Sequence, residues 1–112
     1  MEPFILSPDP ENLNQRFSIT VPLETGALRA DLHLRWLPKP GQWYLSLRDG
    51  TTDRPLATAV PLIACDATRN DLFLPFRHEK IGRLYCRPNC PEARGRDPGE
   101  TTLSQYDLIW TE

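Results

Sequence analysis

Four side chains in one stretch are of the kind that binds a soft metal: Cys65, His78, Cys86 and Cys90. Tetrahedral zinc sites use thiolates and imidazoles, usually as paired C-x₂₋₄-C knuckles. Cys86 and Cys90 have that spacing. Cys65 and His78 do not form a second knuckle, and Pro88 sits inside the first. The sequence therefore predicts no metal site. Cys65 and Cys86 read as small buried hydrophobes. An odd count of three cysteines, with no secretory leader in MEPFILSPDPEN, also speaks against a disulfide framework.

Catalysis needs a nucleophile beside a base, and a base held by an orienting group. His33 falls among Arg29, Asp31 and Arg35, and His78 falls in Arg77-His78-Glu79-Lys80. Both read as solvated surface histidines. The acidic pairs Asp31/Asp49 and Glu92/Asp97 have no special spacing. G-x-S-x-G, a Walker loop, a dinucleotide fingerprint and H-E-x-x-H are all missing. The expectation is a protein that is not an enzyme and carries no cofactor.

Nucleic-acid binding usually shows as a strong basic excess. The net charge here is -2, which argues against general binding but not against a local patch. Arg29, Arg35 and Arg48 near Tyr44 would suit a small β-barrel module that binds single-stranded nucleic acid or another ligand. The plainer reading is charge decoration of a wet sheet face.

The elements that place these residues are strands. Leu28, Ala30, Leu32, Leu34 and Trp36 fall on every second residue, with Arg29, Asp31, His33 and Arg35 between them. Successive strand side chains point to opposite faces, so this run has one apolar and one polar side. A Pro/Gly break at 37–42 follows, and Trp43, Leu45 and Leu47 resume the pattern, which makes a hairpin. QRFSITVPL at 15–23 is a strand with Phe17, Ile19 and Val21 on one face. Asp49-Gly50 is a turn. LATAVPLI at 56–63 contains Pro61, which assigns it to an edge or a bulge. The cluster Leu72-Phe73-Leu74-Pro75-Phe76 reads as a single turn plugging one end of the fold. KIGRLYCR at 80–87 is a short strand. PNCPEARGRDPG at 88–99 is a loop, and the Pro/Gly-rich region extends to 102. QYDLIW at 105–110 is a closing strand with Tyr106, Leu108 and Trp110 on one face.

Length and composition fit this. A chain of 112 residues suits one domain. Twelve prolines is about twice the usual usage of ~5%, which favours short strands and loops over long helices. No stretch approaches the ~18 apolar residues of a membrane span. The sequence predicts a single all-β domain over 1–112. It would be a small antiparallel barrel or sandwich of five to seven short strands, with residues 1–15 as an arm or a short first strand. The predicted core is Phe17, Ile19, Leu32, Leu34, Trp36, Trp43, Leu45, Leu47, Leu108 and Trp110.

The order of motifs resembles the baseplate plug protein family of contractile-tailed phages, known from a cyanophage. Phe4-Ile5-Leu6 comes first, then Asn14-Gln15-Arg16-Phe17, Leu32-His33-Leu34-Arg35-Trp36, Trp43-Tyr44-Leu45-Ser46-Leu47, Val60-Pro61-Leu62-Ile63 and the strand ending on Trp110. The resemblance covers nearly the whole chain. Ser46 stands where an aspartate is usual, Thr58-Ala59 where a glycine is usual, and 66–80 replaces a Gly-rich section. The resemblance implies a structural virion protein at the centre of a tail baseplate, assembled in the host cytoplasm. Its neighbours would be hub, spike, tube-end and tape-measure proteins, and its copies would form a ring of three or six. The residues themselves offer candidates for such contacts in the N-terminal arm (Phe4, Ile5, Leu6), the Phe73/Phe76 cluster and the 88–99 loop (Arg94, Arg96).

Overall fold

The computed structural model describes residues 4–6, 8–9, 11–23, 26–39, 41–64 and 71–111. Among the described residues seven strands run β1 (Phe4–Leu6), β2 (Asn14–Leu23), β3 (Gly26–Leu37), β4 (Gln42–Asp49), β5 (Pro55–Pro61), β6 (Arg83–Pro88) and β7 (Tyr106–Thr111). Short 3₁₀ turns lie at Leu74–Glu79, Pro91–Ala93 and Leu103–Gln105. The all-β architecture expected from the alternation is present. The Glu24-Thr25 connection lies outside the described residues, as do Pro40 in the 37–42 break and the segment 65–70. Among the described residues no helix is long and apolar enough to cross a membrane.

The strands form two antiparallel sheets. The larger has the order β2-β3-β4-β5 and the smaller β1-β7-β6. Ala64, just past β5, makes one parallel bridge to Cys86 of β6. The bridge links the two sheets past the end of β5, so that among the described residues β2 and β5 are the outer strands of the large sheet and β1 and β6 those of the small one. The register is continuous from Asn14↔Arg35 to Leu23↔Gly26 between β2 and β3, and from Ala30↔Asp49 to Leu37↔Gln42 between β3 and β4. Pairing of β4 with β5 is irregular, with register shifts at Leu45/Leu47 and Leu47/Arg48. Pro55 and Pro61 bound β5, as a strand confined to an edge allows.

One apolar cluster joins the inner faces of both sheets. It holds Leu32, Leu34, Trp43, Leu45 and Leu47 from the large sheet and Leu84, Cys86, Leu108 and Trp110 from the small one. Phe17, Ile19 and Trp36, also expected inside, are only partly covered. Phe17 and Ile19 lie on an end strand, with cover from one side only. Trp36 lies against Trp43, ring centroids 5.8 Å apart.

Two connections are fixed by single groups. Trp110 Nε1 donates to the Ile81 carbonyl at 2.6 Å. Gly82 beside it has φ +92, and a Cβ there would meet the Thr111 carbonyl oxygen at 2.5 Å. Lys80 also has a positive φ of 55. This left-handed backbone at 80 and 82 is incompatible with extended pairing. It delays β6 to Arg83, three residues after the sequence-predicted start.

Candidate functional site

The outer face of the large sheet is polar because β2, β3 and β4 alternate in phase. Register places Arg16 beside His33 and His33 beside Ser46, and it places Ser18 beside Asp31 and Asp31 beside Arg48. These residues line a groove of about 400 Å³ together with Asp53 and Thr58. Its polar groups mostly engage one another. Ser18 Oγ donates to Asp31 Oδ1 at 2.7 Å, and Arg48 Nη1 pairs with Asp53 Oδ1 at 3.0 Å. His33 Nε2 donates to Asn14 Oδ1 at 2.6 Å. Burial, then the positive charges of Arg16 and Arg35, hold the His33 imidazole below its ordinary value. Ser46 Oγ accepts the Ala59 N–H at 3.0 Å. The serines therefore face a carboxylate and a backbone amide, and the imidazole faces an amide. The face is a mixed-charge surface.

The sulfur and imidazole groups are dispersed in their environments. Cys86 is buried on the inner face of β6, Cys90 is half-buried, and His78 is exposed beside Glu79. Cys65 lies outside the described residues. Among the described residues no group of three or more His, Cys, Asp or Glu is placed to hold a metal.

The expected contact residues divide sharply. Leu6 and Phe73 are not surface anchors: both are buried in the core. Phe73 stands edge-on to Trp110 with ring centroids 5.5 Å apart. An aromatic side chain with that much area is more stable inside than beside water. Phe4 and Phe76 are half-buried against the same core. Ile5 alone of the N-terminal triplet faces out, 56% exposed.

Register then reveals a row that the sequence reading did not assemble. Ile5 pairs with Ile109, and Ile109 pairs with Tyr85, so the three cross the outer face of the small sheet side by side. Arg87 and Asp107 flank the row on one side, 3.7 Å apart, and Arg83 and Thr111 flank it on the other. The signal was present: if Tyr106, Leu108 and Trp110 point in, Ile109 must point out.

Arg94 and Arg96 are exposed on a segment that is anchored. Tyr106 Oη donates to the carbonyls of Arg96 at 2.6 Å and Ala93 at 3.3 Å. Trp43 Nε1 donates to the Gly99 carbonyl at 2.8 Å. Asp97 Oδ1 accepts the Ala64 N–H at 3.0 Å. Ala93 and Pro98 are buried. Residues 88–102 form a pinned strap that presents two arginines.

Neither a scan against protein-family models nor a search of curated proteins finds a match to this chain.

Proposed function

We propose that this chain is a structural component of a contractile phage tail baseplate, a plug protein that packs near the tube end and the spike. The reading takes its direction from the ordered strand motifs. The structural observation that carries it is the apolar row Ile5–Ile109–Tyr85, across the outer face of the small sheet. A sheet face left for water alone alternates to polar residues, as the large sheet does. An apolar row with a charged rim is instead the make-up of a protein contact. In this reading the neighbours are hub, spike, tube-end and tape-measure proteins, arranged around a ring of three or six copies. Mass spectrometry of purified tails or tail-like particles from the source organism tests it. The chain is expected at a fixed ratio to the hub protein, and its absence from such particles overturns the proposal.

A single-strand binding module is the second reading, favoured by Arg16 and Arg48 in the groove. Asp31 and Asp53 in the same groove oppose a phosphate backbone. A salt-dependent gel shift with single strands would support this reading, and no shift at low salt removes it.

A further inference from the structure

The two edges of the large sheet are finished differently. The β5 edge is blunted by Pro55, Pro61, two register shifts and a left-handed Ala59 at φ 52. Those are the devices by which proteins keep an edge strand from pairing with another chain. The β2 edge has none of them along most of its length. It is ten residues of NQRFSITVPL, in unbroken register with β3, with a proline only near its end. Among the described residues no strand pairs with its other side.

The side chains along that edge are incompletely covered. Phe17 and Ile19 pack against the core yet stay partly exposed, whereas their partners on β3, Leu32 and Ala30, are buried. Phe4 on β1, an outer strand of the small sheet, is half-covered as well. An added strand would cover Phe17 and Ile19 with its inward residues. Its outward residues would lie beside Arg16, Ser18 and Thr20.

Charge selects the occupant. Arg16 makes no ion pair with any described residue. It stands in register with His33, whose imidazole already carries the burden of Arg16 and Arg35. β2 itself contains no Asp or Glu, so a second copy pairing β2 to β2 supplies no carboxylate. We propose that the open edge of β2 accepts an extended segment of a partner protein as an added antiparallel or parallel strand. That segment carries apolar residues over Phe17 and Ile19 and a carboxylate beside Arg16. Main-chain hydrogen bonds then supply affinity, and the alternating side chains supply specificity. The proposal deepens the assembly reading above by assigning one contact of the same domain.

The test is amide hydrogen exchange and chemical-shift mapping on the isotope-labelled full chain. The probe is a synthetic peptide of alternating valine and threonine with a central glutamate. The expected result is new protection and shifts along Asn14–Leu23, lost when alternate peptide amides are N-methylated. Arg16→Glu is expected to weaken this peptide several-fold and to strengthen a central-lysine version. Shifts confined to β5 or to the groove, or none at millimolar peptide, overturn the proposal. So does sedimentation showing a dimer whose β2 amides are already protected without peptide. A chain absent from tail particles but protected along β2 leaves this site standing and removes the baseplate reading. Particles that incorporate the chain with β2 amides unprotected do the reverse.

Discussion

Ser46 and Ala59 hold each other across the irregular edge of the large sheet. The Ala59 N–H donates to Ser46 Oγ at 3.0 Å, and Ala59 sits in the left-handed region at φ 52. A Cβ makes that conformation unfavourable, and glycine escapes the penalty.

Ala59→Gly is therefore expected to stabilise the fold by about 1 kcal/mol, because relief of the left-handed strain exceeds the extra entropy of an unfolded glycine. Ser46→Ala is expected to cost about 0.5–1 kcal/mol through loss of the bond to the Ala59 amide. Urea unfolding measures both. An Ala59→Gly chain with a lower midpoint would sink this account of the bulge.

Trp43→Ala is expected to cost about 3–5 kcal/mol, since the indole is fully buried and its loss leaves a cavity. Trp36→Ala should cost less, because Trp36 is only partly covered. Trp43→Phe separates volume from polarity. It keeps much of the packing and removes the donor to Gly99, so exchange at residues 96–102 should rise more than global stability falls. Equal costs for the two tryptophans would contradict the difference in their burial.

Tyr106→Phe should cost about 1 kcal/mol by leaving the Arg96 carbonyl without the hydroxyl donor, while the Ala93 carbonyl keeps the Arg96 N–H. The same hydroxyl gives a pH signature. Burial, followed by Cys86 and Asp97, pushes the Tyr106 phenol up from its ordinary value. The folded state then binds this proton more tightly than the unfolded chain does. The contribution is complete below the unfolded value of about 10 and is lost as pH rises through the folded value. Thermal unfolding of the wild type should fall off at high pH more steeply than that of Tyr106→Phe. Parallel curves would exclude the buried Tyr106 phenol as the cause.

His33 acts at the other end of the scale. Its value is lowered in the fold, first by burial and then by Arg16 and Arg35. The unfolded chain takes up the proton first. The stabilising term is present above the unfolded value of about 6.5 and fades as pH falls toward the folded value. His33→Gln should flatten the pH dependence of the unfolding midpoint in that window, and Arg16→Ala should move the imidazole upward in a histidine titration by NMR. An unchanged titration in Arg16→Ala would place the guanidinium too far away to matter.

Much of the large sheet was legible because β2, β3 and β4 are long enough to repeat the alternation several times. Leu32, Leu34, Leu45 and Leu47 declare an inner face through the polar residues between them. β1 offered no such repeat. Phe4, Ile5 and Leu6 are all apolar, and only pairing with Trp110, Ile109 and Leu108 decides that Ile5 faces out. Phe73 was misplaced for a related reason. Its turn has no period, and its burial depends on Trp110, a residue distant in sequence. The strap at 88–102 read as polar loop, correctly in composition. Apart from Asp97, its anchors are the carbonyls of Ala93, Arg96 and Gly99, and a carbonyl is common to every residue type, so no side-chain pattern could announce those.

β1 leaves the ribosome before the other described strands and is the last of them that can find its place. Its partner β7 lies at the far end of the chain, with Phe4 opposite Trp110. The β2–β5 meander closes through neighbours in sequence, and such local pairings form early. Loop-closure entropy rises with the length enclosed, so the small sheet must wait for its closing strand. During synthesis the four-stranded sheet therefore holds its inner face uncovered until β6 and β7 emerge. The docking of Phe4–Leu6 completes the fold, and it is the step at which a chain stalled before residue 106 would remain sticky and open to chaperones.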